Sequence, residues 1–142
     1  MASNISRISI NAPMKNVWNS LTEPAQVKLW QYGSDLETTW EPGTPIRFRT
    51  AFGEKVFEQW GTVKLFQPPS LLEYSLFAPA PGREDNPENY FIMRYELQEE
   101  GDKTMLTITQ EDNRPGAVQE AEQGEENPVL KALKELAEKD KA

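Results

Sequence analysis

A chain of 142 residues, 37 % hydrophobic and 27 % charged, is long enough to bury one core and has the composition of a globular protein. Fifteen basic side chains against twenty-three acidic ones leave a net charge of −8, a surface that repels phosphate backbones and anionic lipid and argues against nucleic acid or a membrane as partner. With no cysteine and no histidine, the chain lacks disulfides, thiolate nucleophiles, the usual zinc ligands and the usual neutral-pH base, so any acid–base chemistry falls to carboxylates, tyrosines or lysines.

The N-terminus shows no basic region followed by an apolar run, and no stretch approaches the roughly eighteen apolar residues of a membrane span. The expectation is a single cytoplasmic domain over residues 1–142. Residues 4–10 place Ile8 and Ile10 in alternation with polar neighbours, which predicts a strand with one buried face. Pro13 sits where a helix begins, and Met14, Val17, Trp18 and Leu21 form one apolar stripe at helical spacing. Thr22 is a candidate cap and Pro24 a first-turn residue for a second short helix carrying Ala25, Val27, Leu29 and Trp30, closed by Gly33. Helices of two or three turns do not stand alone, so both must rest on a sheet.

From Ser34 the period changes to two. Leu36, Thr38 and Trp40 alternate before the turn at Glu41-Pro42-Gly43, and Ile46, Phe48 and Thr50 alternate with Arg47 and Arg49. After Gly53 a longer strand runs from Lys55 to Phe66 with Val63 and Leu65 as its inward pair. Phe57 and Trp60 have opposite parity there, which a bulge near Gly61 would reconcile. Pro68-Pro69 makes a turn into Leu72, Tyr74 and Leu76. Residues 78–89 hold three prolines and a glycine and predict a long loop, either a lid or an interface. Phe91, Met93, Tyr95 and Leu97 form the next strand, and Thr104, Leu106, Ile108 and Gln110 the last. Residues 111–126 read as an acidic linker holding at most a turn or two of helix. Asn127-Pro128 then opens a helix striped by Val129, Leu130, Leu133, Leu136 and Ala137, with Glu135 and Lys139 spaced as an i, i+4 pair.

The predicted class is α+β: a strand, two short helices, six further strands and a closing helix. About seven mostly antiparallel strands curve into a cup that grips the last helix, and the helix pair spans one end. Such a cup leaves a cavity between sheet and helix.

That order, with these residues, resembles the START-like helix-grip superfamily, and within it the branch named for the activator of heat-shock-protein ATPase, C-terminal domain. The resemblance is carried by Ile10-Asn-Ala-Pro13 with Val17-Trp18 and Leu21-Thr22, Val27 to Trp30, Trp40-Glu-Pro-Gly43, and Gly61-Thr-Val63 running to Pro68-Pro69. It continues through Leu72 to Tyr74, Glu88-Asn-Tyr90, Tyr95-Glu-Leu97, Lys103 to Gln110 and Val129 to Leu136. Two departures stand out. Relatives often begin the closing helix with a tryptophan where this chain has Glu125-Glu-Asn-Pro128, and some carry a histidine where it has Phe91. Histidine-dependent chemistry of relatives therefore does not transfer.

Trp18 reads as an anchor of the first helix, and Trp30 as core or cavity wall whose indole N–H needs a backbone carbonyl or a ligand. Phe48, Tyr74, Phe91, Met93 and Tyr95 face the cup, with Leu130 and Leu133 of the closing helix opposite them. Each taken singly is ordinary core packing. Together with Gln110 they set three polar tips on an apolar wall, the common form of a small-molecule site. Glu54, Glu58 and Glu111-Asp112 have no reason to be buried, and Glu120, Glu122, Glu125 and Glu126 belong to a solvated linker. No metal site, cofactor motif or catalytic residue is singled out.

Three readings of function follow. The first is a binding protein for a small apolar or amphipathic molecule. The second, found elsewhere in the superfamily, is a cyclase- or hydrolase-type enzyme in which Tyr74, Tyr95 or Gln110 positions a carbonyl. The third, implied by the branch name, is co-chaperone-like contact. The chain has no room for the additional domain that the eukaryotic activator carries, so ATPase stimulation is not expected even where weak binding survives.

Overall fold

The computed structural model describes residues 2–31, 33–112, 114, 116–119, 121–124 and 127–139. The elements, in chain order, are β1 (Ala2–Ile10), α1 (Met14–Thr22), α2 (Pro24–Trp30), β2 (Asp35–Thr38), β3 (Pro45–Phe52), β4 (Lys55–Gln67), β5 (Leu71–Leu76), a single 3₁₀ turn (Pro87–Asn89), β6 (Phe91–Glu100), β7 (Lys103–Asp112) and α3 (Pro128–Lys139). The seven strands form one sheet in the order β1-β7-β6-β5-β4-β3-β2, antiparallel at every step. This is the expected α+β arrangement of a curved sheet and a closing helix. The break after β1 has a geometric consequence: the last strand returns to pair with the first, while the helix pair carries the chain across to the opposite edge.

Val17, Val27, Ile10, Ile46, Leu72, Leu106 and Leu133 are fully buried, so both short helices and α3 contribute to one core. Trp18 meets Phe66 of β4 at 5.3 Å between ring centroids and anchors α1 to the sheet, as expected. Asn127 caps α3 through Oδ1, which accepts from the Val129 N–H at 2.9 Å. The backbone of α3 runs close to α1, α2 and β1. The ion pair on this helix is Lys134–Glu138 rather than Glu135–Lys139.

Several local expectations are corrected. The Thr22 hydroxyl does not cap α2: it donates back to the Trp18 carbonyl at 2.8 Å, and Glu23 takes the cap position without a side-chain bond. β2 ends at Thr38, and Trp40 adopts a left-handed φ of 61°. That conformation costs a non-glycine residue about 1–2 kcal/mol. Against it stand the Trp40 indole N–H on the Thr22 carbonyl at 3.0 Å and a stacked contact with Phe66 at 5.4 Å. In β4 the register shifts between Val63 and Leu65, not at Gly61. One extra residue reverses parity, so Leu65 is exposed while Phe66 packs against the core.

Gly61 serves a different purpose. A Cβ placed there would lie 1.8 Å from the Ser75 carbonyl oxygen, so only glycine allows β4 and β5 to approach this closely. The segment after β7 is more than a linker: Gln123 exchanges backbone hydrogen bonds with Ile5 and Arg7 (3.0 and 2.9 Å) and covers the outer edge of β1. Of the acidic run, Glu122 pairs with Arg7 at 3.4 Å. Glu120, Glu125 and Glu126, and with the last two the start of the region where relatives carry tryptophan, lie outside the described residues.

Candidate functional site

Because cross-strand partners share a face, the register assigns the concave wall. Phe48 lies opposite Gln59 and Thr50 opposite Phe57; Tyr74 lies opposite Met93, Met93 opposite Gln110, and Tyr95 opposite Ile108. These residues bound a cavity of about 630 Å³, closed on its other sides by Trp30 and Gln31 at the end of α2, by Ser34, and by Val129 and Leu130 in the first turn of α3. The volume is within the roughly 300–1,000 Å³ of small-molecule sites. Phe57 at the rim is 54 % exposed.

Trp30, Phe48, Tyr74, Phe91, Met93, Tyr95, Gln110 and Leu130 all line this cavity. Leu133 does not. It sits one turn further along α3, where the helix has closed on the core, and is fully buried. Sequence reasoning missed Gln31, Ser34, Thr50, Phe57, Gln59, Leu76, Ile108 and Val129. Thr50 shares the alternation of Phe48 and was within reach. Phe57 and Gln59 were hidden by the uncertain parity of β4, and Gln31 and Ser34 lie where the chain has no period.

The polar atoms of the cup fall into two groups. Those of the first group are satisfied within the protein. The Trp30 indole N–H donates to the Ser20 carbonyl at 2.7 Å, so it is held by backbone. The Ser34 hydroxyl donates to the Gln31 carbonyl at 2.6 Å, so in its 2.6 Å contact with Thr50 the threonine donates. The second group retains capacity. The Tyr74 hydroxyl donates to that of Tyr95 at 3.2 Å, with the rings stacked 5.9 Å apart. The side-chain amides of Gln31, Gln59 and Gln110 have no protein partner among the described residues.

Burial pushes both phenols up, Tyr74 well above the ordinary value of 10.0 with a further push from Tyr95, while the bond from Tyr74 partly opposes the rise at Tyr95. Both are neutral at physiological pH. They are the only titratable side chains among the described residues that line the cavity.

At one end of the cup stands a buried ion pair. Asp112, expected at the surface, is 5 % exposed and accepts two bonds from the Arg114 guanidinium, at 2.8 and 2.6 Å, and one from its backbone N–H at 3.1 Å. The Arg114 guanidinium holds its carboxyl below the usual range and lies 4.5 Å over the ring of Phe91. The loop at 78–88 contributes no wall to the cavity. Asp85 accepts from the Trp60 indole at 3.0 Å and the Tyr90 hydroxyl at 2.5 Å, and Trp60 lies on the face opposite the cup, so this loop is fastened to the outer surface.

No group of three or more metal-binding side chains occurs among the described residues, and no helix there is long and apolar enough to cross a membrane. The family model described as Activator of Hsp90 ATPase homolog 1-like protein matches residues 11–138. No curated protein matches the chain. Among solved structures, a Cytophaga hutchinsonii protein is 29 % identical with a TM-score of 0.69, the match covering 82 % of this chain and 80 % of that one. A Nitrosomonas europaea protein superposes with a TM-score of 0.76 at 19 % identity, covering 99 % and 96 %. An HSP90 activator from Plasmodium falciparum gives a TM-score of 0.64 at 17 % identity, covering 82 % and 76 %.

Proposed function

The chain belongs to the Activator of Hsp90 ATPase homolog 1-like family, and on that premise we propose that its cup binds a small apolar or amphipathic molecule between the sheet and α3. The observation that carries this reading is the cavity of about 630 Å³, walled by aromatic side chains yet holding glutamine amides that find no partner, and one phenol proton that finds no acceptor, among the described residues. In a filled core such groups would be paired. Two phenols held neutral are well suited to holding a ligand and poorly suited to moving its protons, which favours binding over a cyclase- or hydrolase-type reaction. The protein acts as one helix-grip domain over residues 1–142 in the cytoplasm.

Native mass spectrometry of freshly purified protein tests this reading. A discrete extra mass that is lost on unfolding is the expected result. A bare polypeptide mass, followed by a thermal-shift screen in which no apolar small molecule stabilises the fold, refutes it.

The family description favours a second reading, chaperone contact. Here the outer face and the fastened loop at 78–88 would meet an Hsp90-type partner. Capture of the purified chaperone by immobilised protein, weakened by Trp60→Ala and indifferent to substitutions in the cup, distinguishes it from the first.

A further inference from the structure

We propose that the cup selects uncharged ligands and grips them through a hydrogen-bond acceptor, a ketone- or ester-type oxygen, placed at the Tyr74–Tyr95 pair. The inference rests on the reading of the cup as a ligand site and adds the chemical class of what enters it.

Two independent observations carry it. The first concerns charge. No aspartate, glutamate, lysine or arginine is among the described residues lining the cavity, and the charges beside its Phe91 wall, Asp112 and Arg114, are spent on each other. An ionised group drawn into the cup would lose water and find no counter-charge, a cost that uncharged ligands avoid. The net charge of −8 further disfavours anions.

The second observation counts protons. Two phenols carry two O–H protons, and the pair contains one internal bond, Tyr74 to Tyr95. The Tyr95 proton has no acceptor among the described residues, although the side chain is 6 % exposed and borders the cavity. A buried donor without an acceptor is costly, so the site is poised for a ligand that brings an acceptor and no proton. Gln110, diagonal to Tyr95 across β6 and β7, offers an amide to a second polar atom of the same ligand.

The count makes the test sharp. Tyr74→Phe and Tyr95→Phe each leave one hydroxyl with its proton free, whereas the double variant has none. Three probes of matched size, methyl naphthyl ketone, ethylnaphthalene and naphthoate, are titrated by calorimetry at neutral pH into the wild type and the three variants, with circular dichroism confirming the fold. The ketone is expected to bind wild type about threefold to tenfold more tightly than the hydrocarbon and about tenfold or more above naphthoate. Both single variants keep the ketone preference, and the double variant loses it while holding the hydrocarbon unchanged. Naphthoate binding as well as the ketone, or a ketone preference surviving in the double variant, overturns the selection while leaving the ligand site in place. If none of the three probes binds, the reading of the cup as a ligand site falls with it.

Discussion

Gly61→Ala is the substitution whose cost is most directly set by geometry. The added carbon would sit 1.8 Å from the Ser75 oxygen, 2.5 Å from its carbonyl carbon and 3.1 Å from Leu76 Cα, all backbone atoms that no rotamer change can move aside. Relief requires β4 and β5 to separate by well over an ångström. The separation falls where Trp60 and Phe77 exchange backbone bonds of 3.3 and 2.7 Å and the Thr62 N–H donates to the Ser75 hydroxyl at 3.1 Å. Three such bonds are worth about 2–4 kcal/mol net, and residual overpacking adds roughly 1–3 kcal/mol. A loss of about 3–7 kcal/mol is a large share of a typical domain's stability of roughly 5–15 kcal/mol and lowers Tm by about 10 °C or more. Gly43→Ala is the control: its φ of +89° makes alanine strained, but nothing lies within 4 Å, so the cost should stay near the roughly 1–2 kcal/mol of a left-handed residue. Urea unfolding of both variants, followed by circular dichroism, measures the difference. Equal losses, or a Gly61→Ala loss under about 1 kcal/mol, would show that the strands do not approach as closely as described.

Three other expectations concern the cup and its end. Trp30→Phe removes the donor to the buried Ser20 carbonyl and part of a 5 %-exposed side chain, and should cost about 2–4 kcal/mol in urea unfolding; a change within experimental error would refute the buried bond. The Asp112 carboxyl, held low by Arg114, has a folded pKa below its unfolded one, so its stabilisation is present above about pH 4 and is lost as pH falls through the folded value. Asp112→Asn should therefore be less stable near neutrality and flatten the acid side of the Tm–pH curve, and an unchanged slope would contradict it. For Tyr74 and Tyr95 the sign is the opposite: raised folded pKa values give a contribution fully present below the ordinary value of 10.0 and lost as pH rises through the folded ones. In an alkaline titration followed by phenolate absorbance, their signal should appear only together with unfolding. Full ionisation of all four tyrosines of the chain near that ordinary value, with native circular dichroism, would disprove their burial.

The amphipathic stripes of α1 and α3 and the period-two runs of β3, β5, β6 and β7 were legible because each has one face in the core and one in water. The same alternation put Phe48, Tyr74, Met93, Tyr95 and Gln110 on one wall. It failed where pairing rather than burial decides. The bulge at Val63–Leu65 flips every later residue of β4, yet no residue type in that stretch demands it. Gly61 drew attention as a glycine within a strand, but its reason lies across the sheet in the backbone of β5, at a distance that sequence does not encode. The return of residues 118, 119 and 121–123 along β1 is carried by backbone bonds and by Gln119 and Asn4 side chains, which leave no hydrophobic period to read. Leu130 and Leu133 share one stripe; that the cavity borders only the first turn of α3 follows from where the helix meets α1, α2 and β1.

That meeting point also explains why a protein of this size keeps so large a hollow. The close neighbours of α3 are α1, α2 and β1, which leaves the concave faces of β3 to β6 without α3 directly upon them. A dry void of about 630 Å³ would cost about as much as a stable domain's whole stability, at the roughly 24 cal/mol per Å³ seen when core side chains are deleted. The hollow must therefore be filled, and with Phe57 exposed at the rim, water can fill it. At about 30 Å³ each, some twenty waters fit. Few of them find partners against walls of phenylalanine, tyrosine, methionine and leucine, because the polar contacts are confined to the tyrosine pair, three glutamines and the Ser34–Thr50 bond. Poorly bonded waters are the ones an apolar ligand displaces favourably. An uncharged molecule that carries one acceptor to Tyr95 releases them and meets the donor that the protein leaves unpaired. A charged molecule releases the same waters but forfeits its own hydration, which nothing on these walls replaces.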